Sequence, residues 1–351
     1  MKKVKLLLEN KSTFHFGDAT GNLKIHFSSD QLVSALVNNV VLLYGNEALE
    51  QFINKMREGE IKFSSLYYGL DFLPKMSTEE SCSIPFLPRP KIDFISRSDP
   101  SSFKKMKKVT YISHKLFQYL SKKYSCYEAV REVDVELPIT VIGSRFALLQ
   151  EELFGIDISE HALSNSSFLK VITNPRVEVG RFQQQAENYF MQEDIMIQFM
   201  ETDRYLVQPY MYFFYTGDLP KYVRAAVHLL SDEGIGGKRS LGRGFFKKVE
   251  WSEENHQLAH TGSLYINLST YFPKKIELAS LYNYELEKRN GYVYSFGGKT
   301  VRKRSVMVVQ EGSIMRSKVV GEIIDIRPKG YKHPVYLNGM PILIGFGGEP
   351  A

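Results

Sequence analysis

The chain has 351 residues, 43% hydrophobic and 24% charged, a balance that excludes wholesale disorder and, at roughly 100–200 residues per domain, predicts two domains. Lys and Arg number 45 against 39 Asp and Glu, a net charge of +6, so a polyanionic partner is allowed but not demanded. Two cysteines, Cys82 and Cys126, exclude a disulfide scaffold or multi-cysteine zinc site and point to a reducing, cytoplasmic setting.

In chain order, Val4 to Leu8 reads as a first strand. Its three leucines stop at Glu9, too short for a signal-peptide core, and no stretch approaches the roughly 18 consecutive apolar residues of a membrane span. Asp30 is placed as the N-cap of a helix with Leu32, Val33, Leu36, Val37, Val40 and Leu43 on helical spacing, ended by Gly45. A second helix, about Glu47 to Glu58, stops at Gly59, and Ile61 to Tyr68 reads as a strand. The pattern then loosens. Pro85-Phe86-Leu87-Pro88-Arg89-Pro90 argues against a regular central strand, Lys104, Lys105, Lys107 and Lys108 form a basic run, and Ser113 to Lys123 is read as a short helix. Residues 69–138 are therefore treated as an insertion. Residues 164–192 form a second one, whose extended ends suggest a hairpin arm.

Tyr205 to Tyr215 is apolar on both faces, as in a buried strand. Leu219 to Leu230 has helical spacing behind Asp218 as N-cap, and Phe245 to Trp251 reads as a strand. Without the insertions the order is β-α-β-β-α-β, that of a ferredoxin-like (RRM-like) domain. This gives an α+β protein: residues 1–252 form the first domain, and residues 253–351 a second after a polar linker. In the second, strands are expected at Ser263–Phe272, Tyr292–Phe296, Ser305–Met315, Gly321–Ile326 and Val335–Phe346, with a weak helix over Ile276–Glu287.

The segment Gly234–Gly244 carries the most chemistry. Gly234, Gly236, Gly237, Gly242 and Gly244 surround Lys238, Arg239, Ser240, Leu241 and Arg243. Glycine lets a backbone approach a ligand closely, and cations with free amides favour phosphate. Neither a P-loop nor a dinucleotide fingerprint fits: Asp232 and Arg239 stand where glycine or serine is required, and the order is helix–loop–strand rather than strand–loop–helix. A polymeric phosphodiester suits this loop better than a hydrolysed nucleotide.

The loop resembles the glycine-rich loop of the RAMP superfamily of CRISPR-associated RNA-binding proteins. Phe14-His15-Phe16-Gly17, then Ser29 to Ala35, is similar to the opening of the fourth subunit of the Csm (type III-A) interference complex. Leu87-Pro88-Arg89-Pro90 with the lysine run resembles that family's insertion, and Arg176-Val177-Glu178-Val179-Gly180-Arg181 its arginine-bounded segment, with Gly180 replacing an acidic residue. The resemblance implies two ferredoxin-like domains and a non-catalytic subunit that grips the 5′ tag of CRISPR RNA. It also implies a link between the large polymerase/cyclase subunit and the repeated RAMP backbone subunit. On this chain it places the tag against Gly234–Gly244, Arg176 and Arg181 near the arm, and His15 and Gly17 on the RNA-facing side.

The alternative is a metal-independent endoribonuclease that processes precursor CRISPR RNA with His15 as acid or base. His256 and His260 are spaced i, i+4 but have Gln257 where a zinc protease needs Glu, so they read as a solvated linker pair. Asp232-Glu233 reads as a polar helix end, and no cofactor or metal site is expected. Arg302-Lys303-Arg304 and the Arg316–Lys332 region could touch RNA or be solvated faces.

Overall fold

The computed structural model describes residues 1–17, 23–76, 80–95, 106–124, 132–134, 138–179, 186–252, 256, 258, 262–293 and 301–347. Lys104, Lys105, Cys126, Gly180, Arg181, Gln257 and His260 lie outside these residues.

Strand β1 (Lys2–Leu7) buries Val4 and Leu6 on alternate positions. Helix α1 (Ser29–Arg57) starts at Ser28, not Asp30: the Ser28 amide donates to Gln31 Oε1 at 3.2 Å in a capping box. Asp30 lies inside the first turn, where its carboxylate accepts the Thr270 hydroxyl at 2.8 Å. The two expected helices run as one element whose backbone breaks at Gly45, where φ is +78°. Leu32, Val33, Leu36 and Val40 face the core, while Leu42, Leu43 and Tyr44 beside the break are exposed. Among the described residues α1 is the one helix long and apolar enough to cross a membrane by length and composition, a property that counting consecutive apolar residues missed.

The strand expected over Ile61–Tyr68 is split: Lys62–Phe63 pairs with Thr216 and Tyr215, and strand β2 (Tyr67–Pro74) follows and runs past the expected end. Strand β3 (Cys82–Pro88) overturns the reading of the proline-rich stretch, because it is an interior strand of the main sheet. The prolines are tolerated by a change of neighbour. Residues 82–85 pair with β2 and residues 86–88 with β4 (Tyr111–Ser113), so Pro85 and Pro88 each occupy the last position of a ladder. Helix α2 (His114–Lys123) follows, with the Ser113 hydroxyl accepting the Leu116 amide at 3.1 Å. β5 (Ile139–Ile142) and β6 (Phe146–Leu149) complete this side. β7 (Leu169–Val179) and β8 (Ala186–Ile197) form a long antiparallel hairpin whose base pairs with Thr13–Phe14.

Strand β9 (Tyr205–Thr216) is buried on both faces. Helix α3 (Lys221–Glu233) has Pro220, not Asp218, at its N-cap, and β10 (Lys248–Ser252) begins three residues later than expected because the loop continues to Lys247. The main sheet runs β5-β6-β4-β3-β2-β9-β1-β10. Within the β1-α1-β2-β9-α3-β10 unit this is the order fourth, first, third, second. Strands β3 to β6 widen that sheet, while Asp93–Ile95 and Glu132–Asp134 pair in parallel as a separate two-stranded sheet.

Beyond the linker, β11 (Leu264–Asn267), β12 (Leu281–Asn283), β13 (Ile314–Met315) and β14 (Leu343–Phe346) form a four-stranded sheet ordered β12-β13-β11-β14. The helix expected over Ile276–Glu287 is a short 3-10 turn, Lys275–Ser280, followed by strands. Ile276 and Leu278 face outward, so their spacing finds no core. The Glu277 carboxylate instead accepts the amides of Lys274 at 2.9 Å and Val320 at 2.6 Å. The other strands of this half are shorter than expected: Val306–Val309, Ile323–Asp325 and Tyr336–Asn338. Tyr292 bridges Arg302, and residues 294–296 of the strand expected at Tyr292–Phe296 lie outside the described residues.

The two halves share one apolar core. Phe346 packs on Phe117 and Tyr124 at ring distances of 5.5 and 5.3 Å. Polar bonds cross the same seam: the Ser65 amide donates to Leu268 O at 2.9 Å and the Tyr67 hydroxyl to the same oxygen at 2.6 Å.

Candidate nucleic-acid interface

Helix α3 ends where Gly234 takes a φ of +76° and donates its amide to Leu230 O at 2.8 Å. The loop then closes on itself: the Ile235 amide donates to Gly244 O at 3.0 Å. A Cβ on Gly244 would lie 2.1 Å from Ile235 O, so only glycine closes this neck. Gly236, at φ +87°, passes so near the N-terminal segment that a Cβ would fall 2.7 Å from His15 O. The Gly237 amide donates to His15 O and the Gly244 amide to Thr13 O, each at 2.8 Å. These glycines thus dock the loop onto residues 13–17, and two amides expected to be free for phosphate are used inside the protein.

The cations divide. Lys238 is exposed and left-handed, at φ 57°, ψ 26°, a conformation that costs about 1–2 kcal/mol for a residue with a Cβ. It starts the 3-10 turn Arg239–Leu241, with Ser240 exposed on it and Gly242 ending it at φ +76°. Arg239 is half-buried, its Nη1 3.4 Å from Glu233 Oε2, so Glu233 is more than a polar helix end. Arg243 is turned inward, its Nε 2.9 Å from Asp194 Oδ2.

Asp194 is the centre of the site, and sequence reasoning missed it. It stands on β8 with its side chain 0% exposed. It accepts Gln192 Nε2 at 2.9 and 3.1 Å and Arg243 Nε at 2.9 Å, and has His15 Nδ1 at 3.2 Å. His15 Nδ1 also lies 2.9 Å from the Glu193 carbonyl, which can only accept, so this nitrogen carries the proton and Nε2 of the neutral ring keeps a lone pair. Nε2 lies over Gly17, where a Cβ would stand 2.8 Å away. One carboxylate therefore binds the arm, the loop and the N-terminal segment together. A charged residue on an alternate position of a long strand was the available signal; its partners, distant in sequence, were not readable.

Arg176 pairs in register with Phe190, and Asn174 with Gln192, so Arg176 shares the arm face that leads to Asp194. Arg176 is half-buried, and its Nε has no hydrogen-bond partner among the described residues. The opposite face is exposed and apolar, with Val177 at 50% and Tyr189 at 69%. A cleft of about 250 Å³ lies beside the loop, lined by His15, Gly237, Arg239 and Gln31 and, from the C-terminal half, by Arg289 and Lys303. Lys303 of the basic 302–304 run is thus an inner wall; burial pulls its ammonium below the ordinary lysine range, against the opposing pull of Asp30. Arg304 donates to Asp325 O at 2.9 Å, and Arg302 lies 5.5 Å over the Tyr292 ring. His256, read as solvated, is half-buried; its amide donates to Met1 O at 2.8 Å and its ring packs on Phe214.

Residues 260–346 match the family model described as the CRISPR Csm4 C-terminal domain. A protein of Methanocaldococcus jannaschii described as CRISPR system Cms protein Csm4 is 28% identical, over 99% of this chain and 98% of its own. A Thermococcus onnurineus protein of the same description is 26% identical over 90% of each. The fold is similar to that in a crystal structure of a Csm3-Csm4 subcomplex of a type III-A interference complex, with TM-score 0.61, 22% identity and coverage of 99% of this chain and 100% of that one. It is also similar to one in a Csm1-Csm4 cassette with pppApA, at TM-score 0.55, 18% identity and coverage of 100% and 99%.

Proposed function

The chain belongs to the Csm4 family of CRISPR proteins, and from this premise we propose that it is a non-catalytic subunit of a type III-A effector complex. It binds the 5′ tag of CRISPR RNA and joins the Csm1 polymerase/cyclase subunit to the Csm3-type backbone in antiviral defence. The observation that carries the RNA role is the convergence of arm, loop and N-terminal segment at Asp194, with the cation Lys238 exposed on that loop. Such a surface holds a phosphodiester chain by charge and shape without reading sequence.

In this reading Arg176, Arg239 and Lys303 flank the strand, and Arg243 with His15 fixes the surface on which it lies. Arg181 joins these RNA contacts only through its resemblance to the family's arginine-bounded segment. The sheet order of the β1-α1-β2-β9-α3-β10 unit supports a ferredoxin-like first domain over residues 1–252; a second, modified one over 253–351 belongs to the same proposal and rests on the family resemblance alone.

The His15–Asp194 pair supports a second reading, because an anchored imidazole with a free Nε2 lone pair is the arrangement of a general base. One experiment separates them. Labelled CRISPR RNA with and without its 5′ tag is mixed with the purified chain in EDTA, and binding and cleavage are followed in parallel. Tag-dependent binding without cuts, weakened by Lys238→Asn, is expected. A discrete cut abolished by His15→Ala would overturn the non-catalytic reading. The linking role is checked by co-purification: the chain should hold a Csm1-type and a Csm3-type subunit together, and failure to do so would overturn it.

A further inference from the structure

A second cleft lies away from the glycine loop, where the segments at 88–93 and 106–111 meet the C-terminal half at 282–285 and 310–311. Its volume is about 820 Å³, within the range of small-molecule sites. The walls are cross-tied. Lys91 Nζ reaches Glu285 at 2.6 Å and Gln310 Oε1 at 3.2 Å, and the Lys91 amide donates to Gly312 O at 2.9 Å. Arg89 is spent on the wall itself, donating to Met106 O and Ile92 O at 3.0 Å each. The cleft is therefore formed before any ligand arrives.

Two buried polar groups of residues that line it lack hydrogen-bond partners among the described residues. Tyr111 is 2% exposed, and among the described residues nothing hydrogen-bonds its hydroxyl. His26 Nε2 is likewise unpartnered, 3.7 Å from a carboxylate oxygen of the buried Glu311. An unsatisfied buried hydroxyl is costly, which makes its place in a cleft wall informative. Tyr282 and Tyr284 supply aromatic surface on the opposite wall, and the exposed Lys107 and Lys108 lie on the rim.

We propose that this cleft binds a nucleotide: the base lies among the tyrosines with its polar edge at the Tyr111 hydroxyl and His26 Nε2, and the phosphate meets Lys107 and Lys108. A peptide strand fits less well, because strand addition needs an open backbone edge. Here the wall amides are already used: Arg89 donates to Thr110 O, Tyr111 to Arg145 O and Gln310 to Glu285 O. The nucleotide is either free or one unit of a single strand, and the chemistry of recognition is the same.

The test uses the full chain and AMP carrying a fluorescent methylanthraniloyl group on its ribose, read by anisotropy. Saturable binding displaced by unlabelled AMP and not by inorganic phosphate is expected for a free nucleotide. Displacement only by hexaadenylate assigns the same site to a strand. In either case Tyr111→Phe, which keeps the ring and its packing, should weaken binding about 5-fold, the size of one neutral hydrogen bond. Lys108→Ala should weaken it and flatten its salt dependence, and Lys238→Asn should leave it unchanged. No binding of either probe overturns the proposal. So does binding indifferent to Tyr111→Phe, or binding lost with Lys238→Asn, which would move the ligand to the glycine loop.

Discussion

Asp194 and Asp30 are both buried carboxylates paired with an arginine, and they do different work. The partners of Asp194 come from three segments of the N-terminal half, and the cluster underlies a surface with Lys238 exposed on it. Those of Asp30 cross between halves: Arg289 Nε is 3.1 Å away, Thr270 donates at 2.8 Å, and Arg289 goes on to Glu287 at 2.5 Å, which Lys24 also contacts. Burial alone would raise the Asp30 carboxyl, but Arg289 and the hydrogen bonds from Ser28 and Thr270 hold it below the ordinary carboxylate range. The same ion-pair chemistry serves as a clasp where its partners bridge the two halves and as a platform where they join segments of one half.

The largest expected effect tests the clasp. Arg289→Met takes the guanidinium from the buried Asp30 and leaves Glu287 with Lys24 alone, and should cost about 3–5 kcal/mol in urea denaturation. Arg243→Met removes one partner of Asp194 but leaves His15 and Gln192, and the Arg243 side chain is 17% exposed against 9% for Arg289. Its cost should be about 1–3 kcal/mol, since the remaining donors still satisfy the carboxylate. Equal losses would break the distinction between clasp and platform.

Acid sharpens the same comparison on the core side. Burial lowers His26, although Glu311 opposes it, and lowers His114 to about 3, helped slightly by Lys3 and His256. The native state refuses a proton that the unfolded chain accepts near the ordinary value of 6.5. Stability should therefore fall as pH drops from 6.5 toward 3, by up to about 1.4 kcal/mol per pH unit for each such group. Replacing His114 by Gln should flatten that slope in denaturation midpoints between pH 6.5 and 4.5. An unchanged slope would mean that His114 does not contribute.

Much of the frame was legible because local physics fixed it. The Leu32–Val40 face, the two-sided apolar run of β9 and the Ser113 cap each state their structure within a few residues. What was not legible depended on distant partners. Pro85 and Pro88 read as strand breakers because nothing local shows that β3 changes neighbours at residue 86. Ile276 and Leu278 had helical spacing without a core to face, and Glu277 found amides more than forty residues away. At the site, the loop's composition did not show that it packs on residues 13–17. Its glycines looked like ligand-facing residues, whereas Gly236, Gly237 and Gly244 serve docking onto residues 13–17.

The smallest stability effect carries the sharpest functional test. Lys238 is exposed, so removing its charge should change stability by less than about 0.5 kcal/mol. Asparagine is the apt replacement, since it tolerates the left-handed backbone that Lys238 occupies and leaves the turn after it intact. If Lys238 touches one phosphate, Lys238→Asn should lower the slope of log affinity against log salt by about 0.7 for a single strand. Arg243→Met should also weaken binding, but through the platform: its loss should come with lower stability and with loosening of the arm seen as faster amide exchange in β8. A Lys238→Asn protein with an unchanged salt slope, beside an Arg243→Met protein that loses RNA while staying fully stable, would reverse the two roles. Arg243 would then leave Asp194 to take the phosphate, and the platform would be the contact itself.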